Sequence, residues 1–191
     1  MKSWEKGAFY SPEFIGNNSW NGYEHDSLFR NDGNGKMFTD IAHVSGIDLD
    51  TDGRGMAYLD YDRDGNLDVI VVGHRQKAIL LHNNYPHTNH WLHVALEGTK
   101  SNRQGVGARL TVRAGSGRQI REVRAGGGFL SSSSIPTAFG LGKAARVEEL
   151  VIRWPSGTVQ TLHDLPVDRT ISVVESDQTE RALSNPAPGR E

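Results

Sequence analysis

Four aspartates lie within nine residues in the stretch DYDRDGNLD, which covers residues 60 to 68. Carboxylates this close repel one another, and a hard cation such as Ca²⁺, which takes six to eight oxygen ligands, would hold them together. The aspartates occupy positions 1, 3, 5 and 9 of the stretch, and the glycine at position 6 allows a sharp bend. This spacing predicts a calcium loop, to which the asparagine adds its backbone carbonyl; a solvated polar hairpin is the alternative. The predicted metal ligands are Asp60, Asp62, Asp64, Asn66 and Asp68.

The stretch DLDTDGRG shares part of this pattern. Asp48, Asp50 and Asp52 match positions 1, 3 and 5, but Met56 stands at position 9 and cannot ligate a hard ion. A polar turn explains the stretch equally well, so whether these three aspartates bind a second ion stays open.

The stretch KSNRQGVGAR combines Asn102 and Arg103 with two glycines. Such a loop can bind an anionic ligand, or form an interface, through the arginine and backbone N–H groups. The plainer interpretation is a loop shaped by asparagine and glycine, in which Arg103 pairs with a carboxylate. The strand-to-helix context of a dinucleotide motif is missing.

The sequence names no catalytic residue, so enzyme activity stays uncertain. The stretch GGGFLSSSS is rich in serine, but no G-x-S-x-G nucleophile elbow is present. Four histidines, His82, His87, His90 and His93, suggest zinc as an alternative metal. However, His90 and His93 would point to opposite faces of a strand over residues 89–97, so calcium is the predicted cofactor.

The elements that must position these residues are predicted to be strands, and the predicted fold class is all-β. In residues 1–88 short strands alternate with turns, and NDGNGK has the composition of a hairpin turn. Val69–Val72 form an apolar run that suits a strand buried on both faces. The calcium loop therefore joins two strands, whereas an EF-hand loop joins two helices and carries a glutamate at position 12, where Val71 stands here.

Residues 89–175 contain six strand candidates separated by Gly, Ser, Asn or Pro, which predicts a compact β-domain. These candidates are HWLHVALEG, ARLTVRAG, RQIREVRAG, VEELVIRW, GTVQTLH and TISVVE. Residues 176–191 are polar and contain proline, so we expect a flexible tail. The best helix candidate, GKAARVEEL, is short.

The composition argues against several classes of function. The 21 basic and 23 acidic residues give a net charge of −2, which offers no basic surplus for nucleic acid. No apolar run approaches the ~20 residues of a membrane span, and the absence of cysteine excludes disulfides and thiolate chemistry. No apolar leader follows the first methionine. We therefore expect a cytoplasmic location if the chain is a whole gene product, and secretion if it is a fragment of a longer protein.

Two sets of motifs carry a family resemblance. The stretch GMAYLDYDRDGNLDVIVVG resembles an FG-GAP or VCBS repeat, the calcium-binding blade unit of certain β-propellers. The stretch NHWLHVALEGTKSNRQGVGARLTVRAG, followed by FGLG and WPSGTVQTL, resembles the ASPIC/UnbV domain of the cartilage-acidic-protein family. The resemblance implies a propeller followed by this β-domain, with bound calcium and no catalytic motif common to the family. Members include secreted matrix proteins and proteins of natural-product pathways.

The chain departs from the family in its number of blades. It contains one nearly complete blade, about residues 54 to 84, preceded by the outer strands of another, or about one and a half blades. A propeller closes with four to eight blades, so either the chain is a fragment of a longer protein or another chain supplies the missing blades. We expect the second, a heteromer with a partner chain. The expected function is a calcium-binding module that acts in binding and assembly. The alternative is a subunit of a heteromeric natural-product biosynthetic enzyme, with its active site in the propeller funnel or at the subunit interface.

Overall fold

The computed structural model of the chain describes residues 25–33, 35–86, 88–133, 136–176 and 180–181. Within these residues the protein consists of strands, turns and one short helix, so the predicted all-β class is confirmed. No helix in this described part of the chain is long and apolar enough to cross a membrane.

The first five strands form two separate sheets. The strands are β1 (Phe29–Asn31), β2 (Phe38–Asp40), β3 (Gly53–Leu59), β4 (Asp68–Gly73) and β5 (Ile79–Leu81), with helix α1 (Ala42–Ser45) after β2. Strands β1 and β2 pair as an antiparallel hairpin, which confirms the turn predicted at NDGNGK. The side-chain oxygen of Asn31 accepts the N–H groups of Gly33 and Gly35, which closes that turn. The predicted blade corresponds to the second sheet, in the order β3-β4-β5.

The apolar run in β4 is less buried than the sequence predicts. Val71 is buried, with 9 % of its surface exposed, whereas Val72 is 43 % exposed. The expectation of burial on both faces is therefore wrong for the single chain, because one face of the strand lacks a covering layer.

Eight further strands follow in the second half of the chain. They are β6 (His90–Glu97), β7 (Arg109–Ala114), β8 (Gly117–Glu122), β9 (Thr137–Gly142), β10 (Arg146–Arg153), β11 (Val159–Pro166), β12 (Arg169–Val174) and β13 (Glu180–Arg181). One sheet has the order β13-β11-β10-β7-β8, and the other has the order β12-β6-β9. The six predicted strands are present, and β9 is a seventh strand that the sequence pattern did not predict. The helix candidate GKAARVEEL is wrong, because its second half lies in β10 between β7 and β11.

One hydrophobic core joins these two sheets. Alternate residues of each strand point inward, as expected for a sheet with one solvated face. Fully buried members include Leu92, Leu110, Phe139, Leu150, Ile152, Leu162 and Val173. This core stabilises the part of the chain that carries β6, whose first residues lie close in space to the predicted calcium loop.

The described chain divides into two compact units. The first runs to Met56 and resumes over Ile70–Leu81, and the second consists of Ala57–Val69 and the residues from His82 onward. The domain boundary between residues 88 and 89 stays a prediction, and the predicted calcium loop belongs to the same compact unit as the β-domain strands. Of the predicted tail, β13 pairs in parallel with β11. Residues 177–179 and 182–191 lie outside the described part.

Candidate metal centre

The predicted calcium loop connects β3 to β4 and is closed by its own polar groups. Gly65 has a φ of 95° and Arg63 a φ of 63°, and these two left-handed residues turn the chain back on itself. Asp60 Oδ2 accepts the N–H of Gly65 at 3.1 Å. Asp64 Oδ1 accepts the N–H of Asn66 at 2.7 Å. The side chains at loop positions 1 and 5 therefore stabilise the turn through its backbone N–H groups.

Three of the predicted ligands come together. Asp60, Asp62 and Asp68 each place a carboxylate oxygen within 4.8 Å of the others. Asp64 lies in a second, overlapping group with Asp62 and His82, within the same limit. Both groups have the composition of a metal site, and they share Asp62.

Asn66 supports the loop through its side chain. Its amide donates to Asp64 Oδ2 at 2.8 Å and to the carbonyl of Tyr85 at 3.4 Å. The loop is thus held to the segment that follows β5, independently of any ligand role of the Asn66 backbone carbonyl.

Asp68 also supports the loop through hydrogen bonds in addition to being a candidate metal ligand. It is 1 % exposed. Its Oδ2 accepts the N–H of Tyr61 at 3.0 Å, and its Oδ1 accepts the N–H of Asn83 at 2.8 Å. Because carboxylate oxygens each offer two lone pairs, Asp68 can make these bonds and still face a cation.

Asp60 provides the most informative feature of the site. Its Oδ1 atom is buried and has no hydrogen-bond partner in the described structure. Burying a carboxylate oxygen without a partner costs folding free energy, because the oxygen loses its hydrogen bonds to water and forms none in the protein. The closest basic group is His93, whose Nδ1 lies 3.6 Å from Asp60 Oδ2. Burial lowers the pKa of His93, against the opposing effect of Asp60, so this imidazole is a poor source of positive charge.

The loop packs tightly on the first residues of β6. A Cβ atom added to Gly65 would lie 2.1 Å from Cε2 and 2.2 Å from Nε1 of Trp91. The Trp91 ring in turn lies against His93, with ring centroids 4.5 Å apart. Position 65 therefore needs glycine for its backbone angle and also for its contact with Trp91.

His82 is the residue that the calcium prediction missed. Its Nε2 lies 3.2 Å from Asp62 Oδ2. The ring of Tyr61 meets the His82 ring edge to face, at a centroid distance of 5.1 Å. His82 belongs to the histidine cluster noted in the sequence. The sequence alone does not show that the chain returns to the loop after β5, which places His82 beside Asp62.

The four-histidine zinc alternative is not supported by the described residues. His82 lies at Asp62, His90 Nδ1 lies 2.7 Å from Asp168 Oδ2, and His93 lies beside Asp60. His87 lies outside the described residues. The three described histidines therefore have separate carboxylate partners.

The second acidic stretch is arranged differently. His25 Nδ1 lies 2.7 Å from Asp48 Oδ1, and His43 bonds the other oxygen of Asp48. Asp52 is buried and pairs with Arg54 at 2.6 Å. Among the described residues these aspartates form no metal-binding group, and Asp48 and Asp52 are paired with basic side chains instead.

The Asn102 side chain is used within its own loop. Its amide nitrogen donates to the carbonyl of Val106 at 2.7 Å, and its oxygen accepts the Val106 N–H at 2.8 Å. This supports the plainer interpretation of a loop shaped by asparagine and glycine. The expected ion pair of Arg103 is not seen in the described structure. Asn102 and Arg103 as a ligand site or interface stay a prediction.

Serine hydroxyls of the GGGFLSSSS stretch also have structural partners. Ser132 Oγ donates to the carbonyl of Ala125 at 2.7 Å, and Ser133 Oγ accepts the N–H of Tyr58 at 3.0 Å. These two serines therefore hold loops in place.

Comparison with known proteins matches two parts of the chain. Residues 98–180 match the family described as ASPIC and UnbV, and residues 12–71 match the FG-GAP-like repeat. The second match contains the whole DYDRDGNLD loop. No curated protein matches the chain. Both resemblances noted in the sequence are thereby confirmed.

Proposed function

We propose that this chain, which carries an FG-GAP-like repeat followed by an ASPIC/UnbV domain, is a calcium-binding module that completes a β-propeller with a partner chain. Its role is in binding and assembly. Two separate sets of observations support the two halves of this proposal.

The calcium half rests chiefly on the unpaired buried oxygen of Asp60. Asp60, Asp62 and Asp68 offer oxygen atoms only, which is the donor type that calcium takes. A bound Ca²⁺ neutralises the repulsion among these carboxylates and satisfies the Asp60 Oδ1 atom. Asp64 and Asn66 shape the turn around it. The overlapping group with His82 includes an imidazole nitrogen, so the all-oxygen group is the better match to this ion.

Calcium is expected to raise the melting temperature of the full chain. At about 100 times the dissociation constant, binding adds about 2.7 kcal/mol to the free energy of unfolding. For a chain of this size that corresponds to a shift of about 5 to 10 °C. Asp62→Asn should abolish the shift, because this residue belongs to both groups of potential ligands. The measurement is thermal unfolding of chelated and calcium-loaded protein, with metal analysis of the purified chain.

Asp164→Asn is the matched control, since Asp164 is exposed and pairs only with Arg146 in the described structure. It should leave the calcium shift intact. Identical melting curves with and without calcium, and no bound metal, would exclude the calcium half of the proposal.

The partner half rests on apolar surface in the first compact unit. Seven large apolar side chains there are between 43 % and 86 % exposed. They are Phe29, Met37, Phe38, Val44, Met56, Val72 and Leu80. A blade buries its faces only against neighbouring blades, so exposed apolar side chains are expected on a blade that lacks its neighbours. A partner with further FG-GAP-like repeats would supply those neighbours.

The lone chain is accordingly expected to self-associate. Val72→Lys should shift it toward monomer in light scattering, because the charge interrupts an exposed apolar face. Val174→Lys is the control, since Val174 is similarly exposed, at 49 %, but belongs to the β-domain. A wild-type chain that is monomeric at high concentration, with slow amide exchange at Val71 and Val72, would show that the blade needs no partner.

A further inference from the structure

The outer face of the five-stranded sheet carries unusual charge pairs. On β7, Arg109, Thr111 and Arg113 point outward, while Leu110 and Val112 between them are buried. Directly opposed residues of an antiparallel pair share a face, so the neighbouring strands extend this surface. We call it the arginine face; its outward residues on β10, β7 and β8 are Glu149, Val151, Arg153, Arg109, Thr111, Arg113, Arg118, Ile120 and Glu122.

Arginine stands opposite arginine twice on this face. Arg153 is paired with Arg109 across β10 and β7, and Arg113 is paired with Arg118 across β7 and β8. Like charges directly opposite each other destabilise a sheet. The fold itself therefore gives no reason for these two pairs.

The four arginines also lack ion-pair partners within the described residues. Glu122 lies opposite Arg109 and Glu149 opposite Arg113, yet neither carboxylate forms an ion pair with them. Arg146, at the start of the same strand β10, does pair, at 3.3 Å from Asp164 Oδ1. The guanidinium groups of the arginine face are thus available to bind carboxylates from outside.

An uncharged row of side chains lies between the two arginine pairs. Arg109 and Arg113 are four residues apart on β7, which corresponds to about 13 Å along a strand. Between them lie Val151, Thr111 and Ile120, all without charge. The face therefore presents an uncharged row between two rows of net positive charge, each of which contains two arginines and one glutamate.

We propose that the arginine face binds an extended segment of a protein partner, with two carboxylates about 13 Å apart and a small apolar side chain between them. In a strand, residues i, i+2 and i+4 point to one side, so two acidic residues at i and i+4 have this spacing. The proposal concerns the β-domain alone and does not depend on calcium at the loop or on completion of the propeller.

Three features favour a protein over a polyanion. A sulfated glycan has nothing to bury against Val151 and Ile120, and its continuous charge would meet Glu122 and Glu149. No aromatic side chain lies on the face among its described residues, so nucleic-acid bases have nothing to stack on. The chain also has a net charge of −2, which does not attract a polyanion at long range.

Two synthetic peptides of the same composition test the proposal on the full chain. Blocked Glu-Thr-Val-Thr-Glu places both carboxylates on one side of a strand, and blocked Glu-Thr-Val-Glu-Thr places them on opposite sides. The second peptide can still form one of the two exposed ion pairs, so the first peptide should have an affinity up to about 5-fold higher. The chemical shifts of β7 and β10 amides would report the binding. Replacing both Arg109 and Arg113 with glutamine should remove this preference, whereas Arg146→Gln should not.

Equal affinity for both peptides, or a sulfated tetrasaccharide that binds more tightly than either, would overturn the proposal. A second measurement needs no ligand. Arg118→Thr should raise the melting temperature by removing an opposed like charge, and Arg146→Thr, which removes an ion pair, should not. A lower melting temperature for Arg118→Thr would show that the arginines stabilise the sheet, which would also contradict the proposal.

Discussion

The Glu175→Gln variant is expected to lose about 2 to 3 kcal/mol of unfolding free energy at neutral pH, because hydrogen bonds to a buried charge are strong. Glu175 is 4 % exposed. Its Oε2 accepts the N–H groups of Thr99, Lys100 and Ser101 at 2.9, 2.8 and 2.7 Å. Its Oε1 accepts the hydroxyls of Ser101 and Ser156. The side-chain amide of glutamine would bring two N–H donors to a position where all the surrounding groups are themselves hydrogen-bond donors.

The pH dependence of the same carboxylate gives a second readout. Burial raises the pKa of Glu175, but the hydrogen bonds from Ser156, Ser101 and Lys100 outweigh it and lower the pKa from 4.5 to about 2. The folded state therefore holds its proton less tightly than the unfolded state. The stabilisation is complete above about pH 4.5 and is lost as the pH falls from 4.5 toward 2.

Urea unfolding of parent and variant between pH 7 and pH 3 measures both effects. The difference in unfolding free energy should be largest at neutral pH and shrink on acidification. Glu97→Gln, at the exposed end of β6, should change little at any pH. A constant difference between parent and Glu175→Gln across this range would show that the carboxylate charge is not what stabilises the site.

The Gly65→Ala variant is expected to cost at least about 2 kcal/mol, through overpacking and backbone strain together. The added methyl would lie 2.1 to 2.6 Å from three ring atoms of Trp91, and the residue has a φ of 95°. The ring or the loop must move, so we also expect weaker calcium binding. Thermal unfolding and calcium titration of the variant measure these two effects.

Gly157→Ala separates the two causes. Gly157 has a φ of 92°, but nothing lies within 4 Å of the position of its added Cβ. Its loss of stability therefore reports backbone strain alone and should be the smaller one. Trp91→Leu should relieve part of the Gly65→Ala penalty in a double-mutant cycle. Equal penalties at positions 65 and 157 would show that the contact with Trp91 is unimportant.

The sequence predicted what is local in the candidate metal centre. The side chains at positions 60 to 68 are neighbours in the chain, and their spacing with glycine was sufficient to locate the loop. His82 and Trp91 reach the loop only through the return of the chain after β4, which no local spacing reports. Asp64 was predicted beside Asp60 in one ligand set, whereas the structure groups it with Asp62 and His82.

The strand pattern failed in two places for physical reasons. In β9 the sequence TAFGLG contains two glycines, which have no side chain to show alternation between faces. The stretch GKAARVEEL, which runs into β10, is rich in alanine, arginine and glutamate, which favour helix. Pairing with β7 on one side and β11 on the other decides in favour of a strand. Both outcomes depend on residues distant in the chain.

The parallel pairing of β6 with β12 also sets the order of events during synthesis. Arg169 is in register with Leu92, and β9, which forms the other neighbour of β6, begins only at Thr137. While the ribosome is still adding the intervening residues, β6 has neither neighbour, and its apolar side chains have no core to enter. The β-domain therefore cannot close until nearly all of it has emerged, and long-range parallel pairing of this kind is slow. During this period both edges and the apolar side chains of β6 are exposed in the nascent chain. The strand is then prone to aggregate and can be bound by chaperones.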